Sequence, residues 1–234
     1  MPLGYERVAR HYEWLAKLYS LGAIAQTREA HIQDLKEGDK VLYLGIGASR
    51  EPALATSRGA QVTAVDKSPT MLSLAQGAAA KENVEGHRDL RWVEGDAFEI
   101  LERSDYRSQF DWIVCPFFLN VFNERSLNRL LPLLTDCLKK HGRLVIADYA
   151  HYHGQWPHRV FQWLYYTPPR LLFGLLTGNP WHPLYDYPTL VRQKTSLEHK
   201  KTSFFPILRS NLYASYEFSL AQNTTIHPGQ ASQP

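Results

Sequence analysis

Five stretches of the chain, residues 41–44, 61–65, 90–94, 110–116 and 143–149, have apolar centres without a clean alternation of faces. All five read as strands, and the continuous apolar run at 41–44 as one buried on both faces of a sheet. Between them the apolar positions switch to a helical period. Ala53, Leu54 and Ala55 lead to a glycine stop at Gly59, and Ser68 followed by Pro69 opens a helix predicted to run to about Lys81. Asn123 caps a segment whose Leu127, Leu130, Leu131, Leu134 and Leu138 form one stripe. Pro132 is expected to kink that helix, and Lys139-Lys140-His141-Gly142 to be its basic last turn. Ahead of the first strand, Val8, Tyr12, Leu15, Ala16 and Tyr19 repeat at helical spacing, and a second helix follows a break near Gly22. Two more strands close the pattern. In the last, residues 212–221, Leu212, Ala214, Tyr216, Phe218 and Leu220 are expected inward and Ser215, Glu217 and Ser219 outward. Strand and helix alternating in this way predict an α/β fold, a mostly parallel Rossmann-like sheet with helices on both faces.

The stretch KVLYLGIGASREPALATSRGAQVTAVDKS, from Lys40 to Ser68, joins a strand, a glycine turn, a helix and a second strand that ends on Asp66. Gly45 and Gly47 stand where the chain must turn sharply and let a ligand reach the backbone. Asp66 lies 19 residues past Gly47, positioned to accept hydrogen bonds from a ribose diol. The turn lacks the Gly-Lys-Ser/Thr of a phosphate-cradling loop, which argues against ATP or GTP hydrolysis. A dinucleotide site needs a third glycine to expose the helix N-terminus to pyrophosphate, and Arg50 stands there instead. S-adenosylmethionine, an adenosine joined to a zwitterionic amino acid without pyrophosphate, fits this turn better. A second carboxylate, Asp96, follows the third strand at the same edge, where it can accept from the exocyclic amine of adenine. Its competing role is a plain helix N-cap.

Composition narrows the partners. A chain of 234 residues with net charge +3 suits one domain with a large core, and with no Lys/Arg run longer than two it falls short of a nucleic-acid footprint. Cys115 and Cys137 show no CxxC spacing and read as core filling in a reducing, cytoplasmic interior. Glu6, Glu13 and Glu29 argue against a signal or transit peptide, and no apolar stretch reaches spanning length. Residues 149–185 depart from the rest: no acid, two strong bases (Arg159 and Arg170), ten aromatics, four histidines and several prolines. This insertion predicts either a cap over an apolar pocket or a peripheral contact with a membrane surface through Trp and Tyr, and its prolines exclude a spanning helix. The domain is expected to fill residues 1–221, with 1–38 a helical lid, 150–187 the aromatic cap and 222–234 a disordered tail.

The motifs VLYLGIGAS, VTAVDKSPTML, RWVEGDAFEI, FDWIVCPFFLN and LKKHGRLVIADYA occur in the order found in the class I S-adenosylmethionine-dependent methyltransferases, which the chain resembles over residues 5–221. RVARHYEWLAKLYSLG and FFLNVFNE make it most similar to the ubiquinone/menaquinone C-methyltransferase branch. The resemblance implies a seven-stranded sheet with an antiparallel last strand. It also implies cofactor contacts from Tyr43, Gly45, Ile46 and Gly47, from Asp66 and Lys67 at the ribose, from Asp96, Ala97 and Phe98 at the adenine, and from backbone near Pro116. Two positions depart from the family pattern. Tyr43 stands where the family has an acid that helps hold the methionine ammonium, and Ser49 replaces the usual third glycine of the turn. The implied reaction is methyl transfer to a small or lipid-like apolar acceptor, a quinone precursor or a lipid. Candidate catalytic residues are Tyr149 and His151, just past the fifth strand, and Tyr12 from the leading helix, with His151 favoured as base. His151 and His153 form an HxH without a nearby carboxylate, which does not by itself make a metal site, and none is expected. The competing reading is a degenerate methyltransferase fold that serves as a cofactor-binding or scaffold subunit, for which Tyr43 and Ser49 are the support.

Overall fold

The computed structural model describes residues 19–82, 89–151, 155–177, 184–207 and 210–221. Residues 1–18 of the expected lid with Tyr12, His153 and the tail from residue 222 lie outside the described residues.

Seven strands form one sheet: β1 (Lys40–Leu44), β2 (Gln61–Asp66), β3 (Leu90–Glu94), β4 (Phe110–Pro116), β5 (Leu138–Tyr149), β6 (Leu197–Ile207) and β7 (Ser210–Leu220). Their spatial order is β3-β2-β1-β4-β5-β7-β6. The first five pair in parallel, and β7 runs antiparallel between β5 and β6. The order reverses between β1 and β4, so a crevice forms outside their carboxyl ends. Helices α1 (Ala23–Glu29), α2 (Glu51–Ser57), α3 (Pro69–Lys81), α4 (Ala97–Leu101), α5 (Glu124–Cys137), α6 (Trp156–Thr177) and α7 (Tyr187–Lys194) complete the domain. On one face Leu42, Leu44, Ile113, Leu144 and Ile146 pack against the leucine stripe of α5, and on the other Val41, Val114 and Val145 share a core with Ala55 and Ala75. Burial of β1 on both faces is what its unbroken apolar run predicted, whereas β3, at the edge of the sheet, has no buried residue.

Local signals mostly act as expected. Ser68 Oγ accepts from Met71 N–H and Asn123 Oδ1 from Ser126 N–H, each starting its helix. Gly22, with φ of 87°, breaks the leading segment before α1.

Three expectations are corrected. Residues 138–142 belong to β5 rather than to a last helical turn: Leu138 pairs with Phe110, and the register then shifts so that Arg143 faces Trp112. Gly142 lies in that irregularity, where a Cβ would meet Phe110 O at 2.8 Å and Lys139 O at 3.0 Å, so the glycine permits close backbone approach and does not stop a helix. Pro132 does not interrupt α5, because it lies on the exposed face and leaves the carbonyl of exposed Asn128 to water. In β7, Tyr213 and Ser215 are buried as well as the expected face, since α6 covers the other side and Tyr166 Oη donates to Leu212 O at 2.6 Å. The proline-broken insertion contains a 22-residue helix, α6, that continues through Pro168 and Pro169. Pro169 has no N–H for the carbonyl of Tyr165, and the hydroxyl of Tyr19 donates to that carbonyl instead. Among the described residues no helix is long and apolar enough to cross a membrane.

Candidate functional site

After Leu44 the chain turns through Gly45 (φ 66°) and Gly47 (φ 57°), a conformation that glycine enters without penalty. The two glycines have different surroundings. A Cβ on Gly45 would lie 2.1 Å from Phe118 Cδ2, so that ring rests directly on the backbone. At Gly47 nothing lies within 4 Å of the same point, and its backbone is open to a ligand. Gly47 N–H donates to Asp66 Oδ2 and Ser68 N–H to Asp66 Oδ1, both at 2.9 Å. Asp66 thereby ties the end of β2 to the turn, and a carboxylate has about four acceptor sites, so capacity remains. Burial pushes its pKa up, and the N–H groups of Ser68, Gly47 and Lys67 partly offset this.

Asp96 caps α4, its Oδ1 accepting from Phe98 N–H at 2.9 Å, while Oδ2 takes Lys67 Nζ at 3.1 Å. Because Asp66 pairs with Glu94 and Gly95 N–H donates to Asp66 O, the two acids stand at the carboxyl ends of neighbouring strands. Ala97 and Ile46 are buried, and Phe98 packs edge-on against Phe122 at 5.7 Å. Pro116 ends β4 opposite Ala147. The next residue, Phe117, has φ of 52°, an uncommon left-handed conformation for a bulky side chain at a strand end.

Past β4 and β5 the wall becomes aromatic. Phe117 meets Tyr149 at 5.4 Å between ring centroids, Tyr149 meets Tyr213 at 5.5 Å, and Tyr19 meets Tyr165 at 4.3 Å. Tyr165 Oη donates to Tyr19 O at 2.9 Å and lies 3.0 Å from Tyr213 Oη. Burial pushes the phenols of Tyr19, Tyr165 and Tyr213 up, so these groups stay neutral near pH 7. Tyr149 belongs to this wall. His151 is exposed at the same edge, and its backbone is hydrogen-bonded to the Tyr216 hydroxyl.

Tyr43, expected among the cofactor contacts, is instead fully buried, its hydroxyl 2.6 Å from His31 Nε2. Two polar groups were missed from the sequence. Asp148, buried near the end of β5, accepts from Asn120 Nδ2 at 2.8 Å, from its neighbour Tyr149 N–H at 2.7 Å and from the Tyr187 hydroxyl. Burial pushes its pKa up to about 6, and those three donors partly offset the rise. Arg28 and Glu51 form an ion pair beside the glycine turn, Nε to Oε1 at 2.8 Å. Asp148 had one available signal, a carboxylate set in an otherwise apolar run, whereas Glu51 follows Ser49 and Arg50 and had none.

Residues 41–142 match the family model of a methyltransferase domain. The chain is an S-adenosylmethionine-dependent methyltransferase. Over 180 residues the methyltransferase is 29% identical to the demethylmenaquinone methyltransferase of Thermobifida fusca (strain YX), covering 76% of this chain and 68% of that one. It is similar in fold to the TehB-like methyltransferase of Corynebacterium glutamicum, with TM-score 0.54, 18% identity and coverage of 91% of this chain and 99% of that one. A second structural neighbour is the 1,6-didemethyltoxoflavin-N1-methyltransferase of Burkholderia thailandensis, crystallised with 1,6-didemethyltoxoflavin and S-adenosylhomocysteine. There the TM-score is 0.60 at 17% identity, with 94% of this chain and 88% of that one covered. The seven-stranded class I fold and S-adenosylmethionine as cofactor, both expected from the sequence, therefore stand.

Proposed function

We propose that the methyltransferase methylates an apolar aromatic acceptor of the quinol kind, taken up at a lipid surface. The observation that carries this reading is the aromatic wall of Phe117, Tyr149, Tyr165 and Tyr213 at the carboxyl ends of β4 and β5, where open α/β sheets receive ligands. That wall is continuous with α6, whose outer face exposes Trp156, Val160, Trp163 and Leu164 beside Arg159. Indole rings and a cationic side chain on an acid-free helix suit the interface of an anionic membrane. The name of the Thermobifida fusca relative points to the same acceptor class.

The residues around Gly47 fit the cofactor. Its open backbone admits the ligand, Asp66 has acceptor sites to spare for a ribose diol, and Asp96 has an oxygen not used by its capping bond for the adenine amine. When bound, the sulfonium supplies an electrophilic methyl group, so the protein's share is orientation and exclusion of water. The neutral tyrosine walls orient a flat ring by edge and face contacts. His151, exposed at the mouth, takes the proton that the acceptor gives up.

The test uses liposomes holding a reduced demethylmenaquinone-type quinol, incubated with methyl-labelled cofactor and read by mass spectrometry of the lipid extract. Label is expected in the quinol, with less from His151→Ala at saturating cofactor. An unlabelled lipid fraction would remove the quinol reading, and undiminished labelling by the variant would remove His151.

A further inference from the structure

The glycine turn is held by a charged pair. Arg28, near the end of α1, donates through Nη2 to the carbonyl of Ile46 at 2.7 Å and to Glu51 Oε2 at 3.3 Å, beside its 2.8 Å contact with Glu51 Oε1. Glu51 is only 3% exposed and begins α2 directly after the turn. A second pair lies next to the first, Arg50 Nε donating to Glu29 Oε1 at 2.9 Å. Adjacent residues of α1 thus meet adjacent residues of the turn with their charges in opposite order. Between Gly47 and Glu51, the Oγ of Ser49 is buried and has no hydrogen-bond partner among the described residues. A buried hydroxyl left unpaired is costly, which suits a group whose partner arrives with a ligand. β1 adds no charge here, since Tyr43 is buried against His31.

Strand order gives a ligand its direction. Asp96 and Asp66 follow β3 and β2, and the glycine turn follows β1, next along the sheet. An adenosine held by those two acids would have its 5′ substituent within reach of the turn and of Arg28 beside it.

We propose that Arg28 and Glu51 recognise the amino-acid end of the cofactor, the guanidinium taking the α-carboxylate and Glu51 the α-ammonium, with the Ser49 hydroxyl completing the set. A zwitterion presents the same two charges as the pair it meets, so neither buried ion loses its counter-charge when the ligand enters. Glu51 supplies the carboxylate that the first strand lacks. The assignment deepens the cofactor reading and rests on Asp66 holding the ribose.

Calorimetric titration with S-adenosylhomocysteine and with 5′-methylthioadenosine, which keeps the adenosine and thioether but lacks the amino acid, tests it. For Glu51→Gln and Arg28→Gln, affinity for S-adenosylhomocysteine is expected to fall about ten- to a hundredfold while that for methylthioadenosine stays unchanged, which also shows the site to be folded. Equal losses for the two ligands, or no loss for S-adenosylhomocysteine, would overturn the assignment. So would a wild-type protein that binds both ligands equally, with the adenosine site left intact. Wild-type protein that binds neither would instead bring down the cofactor reading, and this assignment with it.

Discussion

Gly45 and Gly47 share a left-handed φ but not a task. Alanine at either position pays roughly 1–2 kcal/mol for that backbone conformation. At Gly45 the new methyl would also sit 2.1 Å from Phe118 Cδ2, and Phe118 cannot retreat freely because its ring packs edge-on against Phe122 at 5.0 Å. Overpacking of this kind adds about 1–3 kcal/mol. At Gly47 the methyl enters open space beside the N–H that serves Asp66, so stability pays only for φ while a ligand loses its approach. Thermal melts and S-adenosylhomocysteine titration separate the two. Gly45→Ala should be the less stable protein, and Gly47→Ala the more stable one with impaired binding. Full affinity in Gly47→Ala would mean that the cofactor does not cross this turn.

Among the elements, α6 is the one whose role reaches beyond packing. Its inner side is fixed by Tyr166, fully buried, and by Gln162 Nε2 donating to Asn211 O at 3.0 Å, whereas Trp156 and Trp163 are 76% and 52% exposed. Replacing both tryptophans with serine should leave the melting temperature nearly unchanged, since neither is core, yet reduce co-sedimentation with anionic liposomes. Equal sedimentation of variant and wild type would reduce α6 to a cap. This helix was only half legible in the sequence. Its aromatic, acid-free composition was plain, but Pro168 and Pro169 read as breaks because the hydroxyl that replaces a missing N–H comes from Tyr19, far away in the chain. The start of β5 was misread for a similar reason. Leu138 continues the leucine stripe of α5, and only its pairing with Phe110 turns it into strand. The glycine turn and the Ser68 and Asn123 caps were legible because each answers a local backbone demand, while at Asp96 the cap was only the competing reading. Arg28, Glu51 and Asp148 were not, because their partners are set by tertiary packing.

Across the molecule, two buried titratable groups pull stability in opposite directions with pH. Burial pushes His31 down to about 3, so the stability carried by its neutral ring is full above the ordinary histidine pKa of about 6.5 and is lost as pH falls. Burial raises Asp148 to about 6 from an ordinary 3.8, so its contribution is full at acid pH and is lost as pH rises through about 6. The groups against Asp148 are the phenols of Tyr187 and Tyr216, the Cys115 thiol and the Asn120 amide; burial raises the first three, so all are neutral in this window. His31 faces the equally neutral Tyr43 hydroxyl. Between about pH 4 and 6 each term amounts to roughly 3 kcal/mol, and the signs are opposed, so they nearly cancel in the wild type. Asp148→Asn should uncover the histidine, its urea-unfolding free energy falling relative to wild type as the buffer is acidified. His31→Gln should uncover the aspartate and show the reverse slope. Asp66, also raised by burial, is present in both variants and drops out of the comparison between them. Parallel profiles for the two variants would mean that neither group carries the burial cost assigned to it, and the polar contacts at His31 and Asp148 would then have to be far wetter than their surroundings imply.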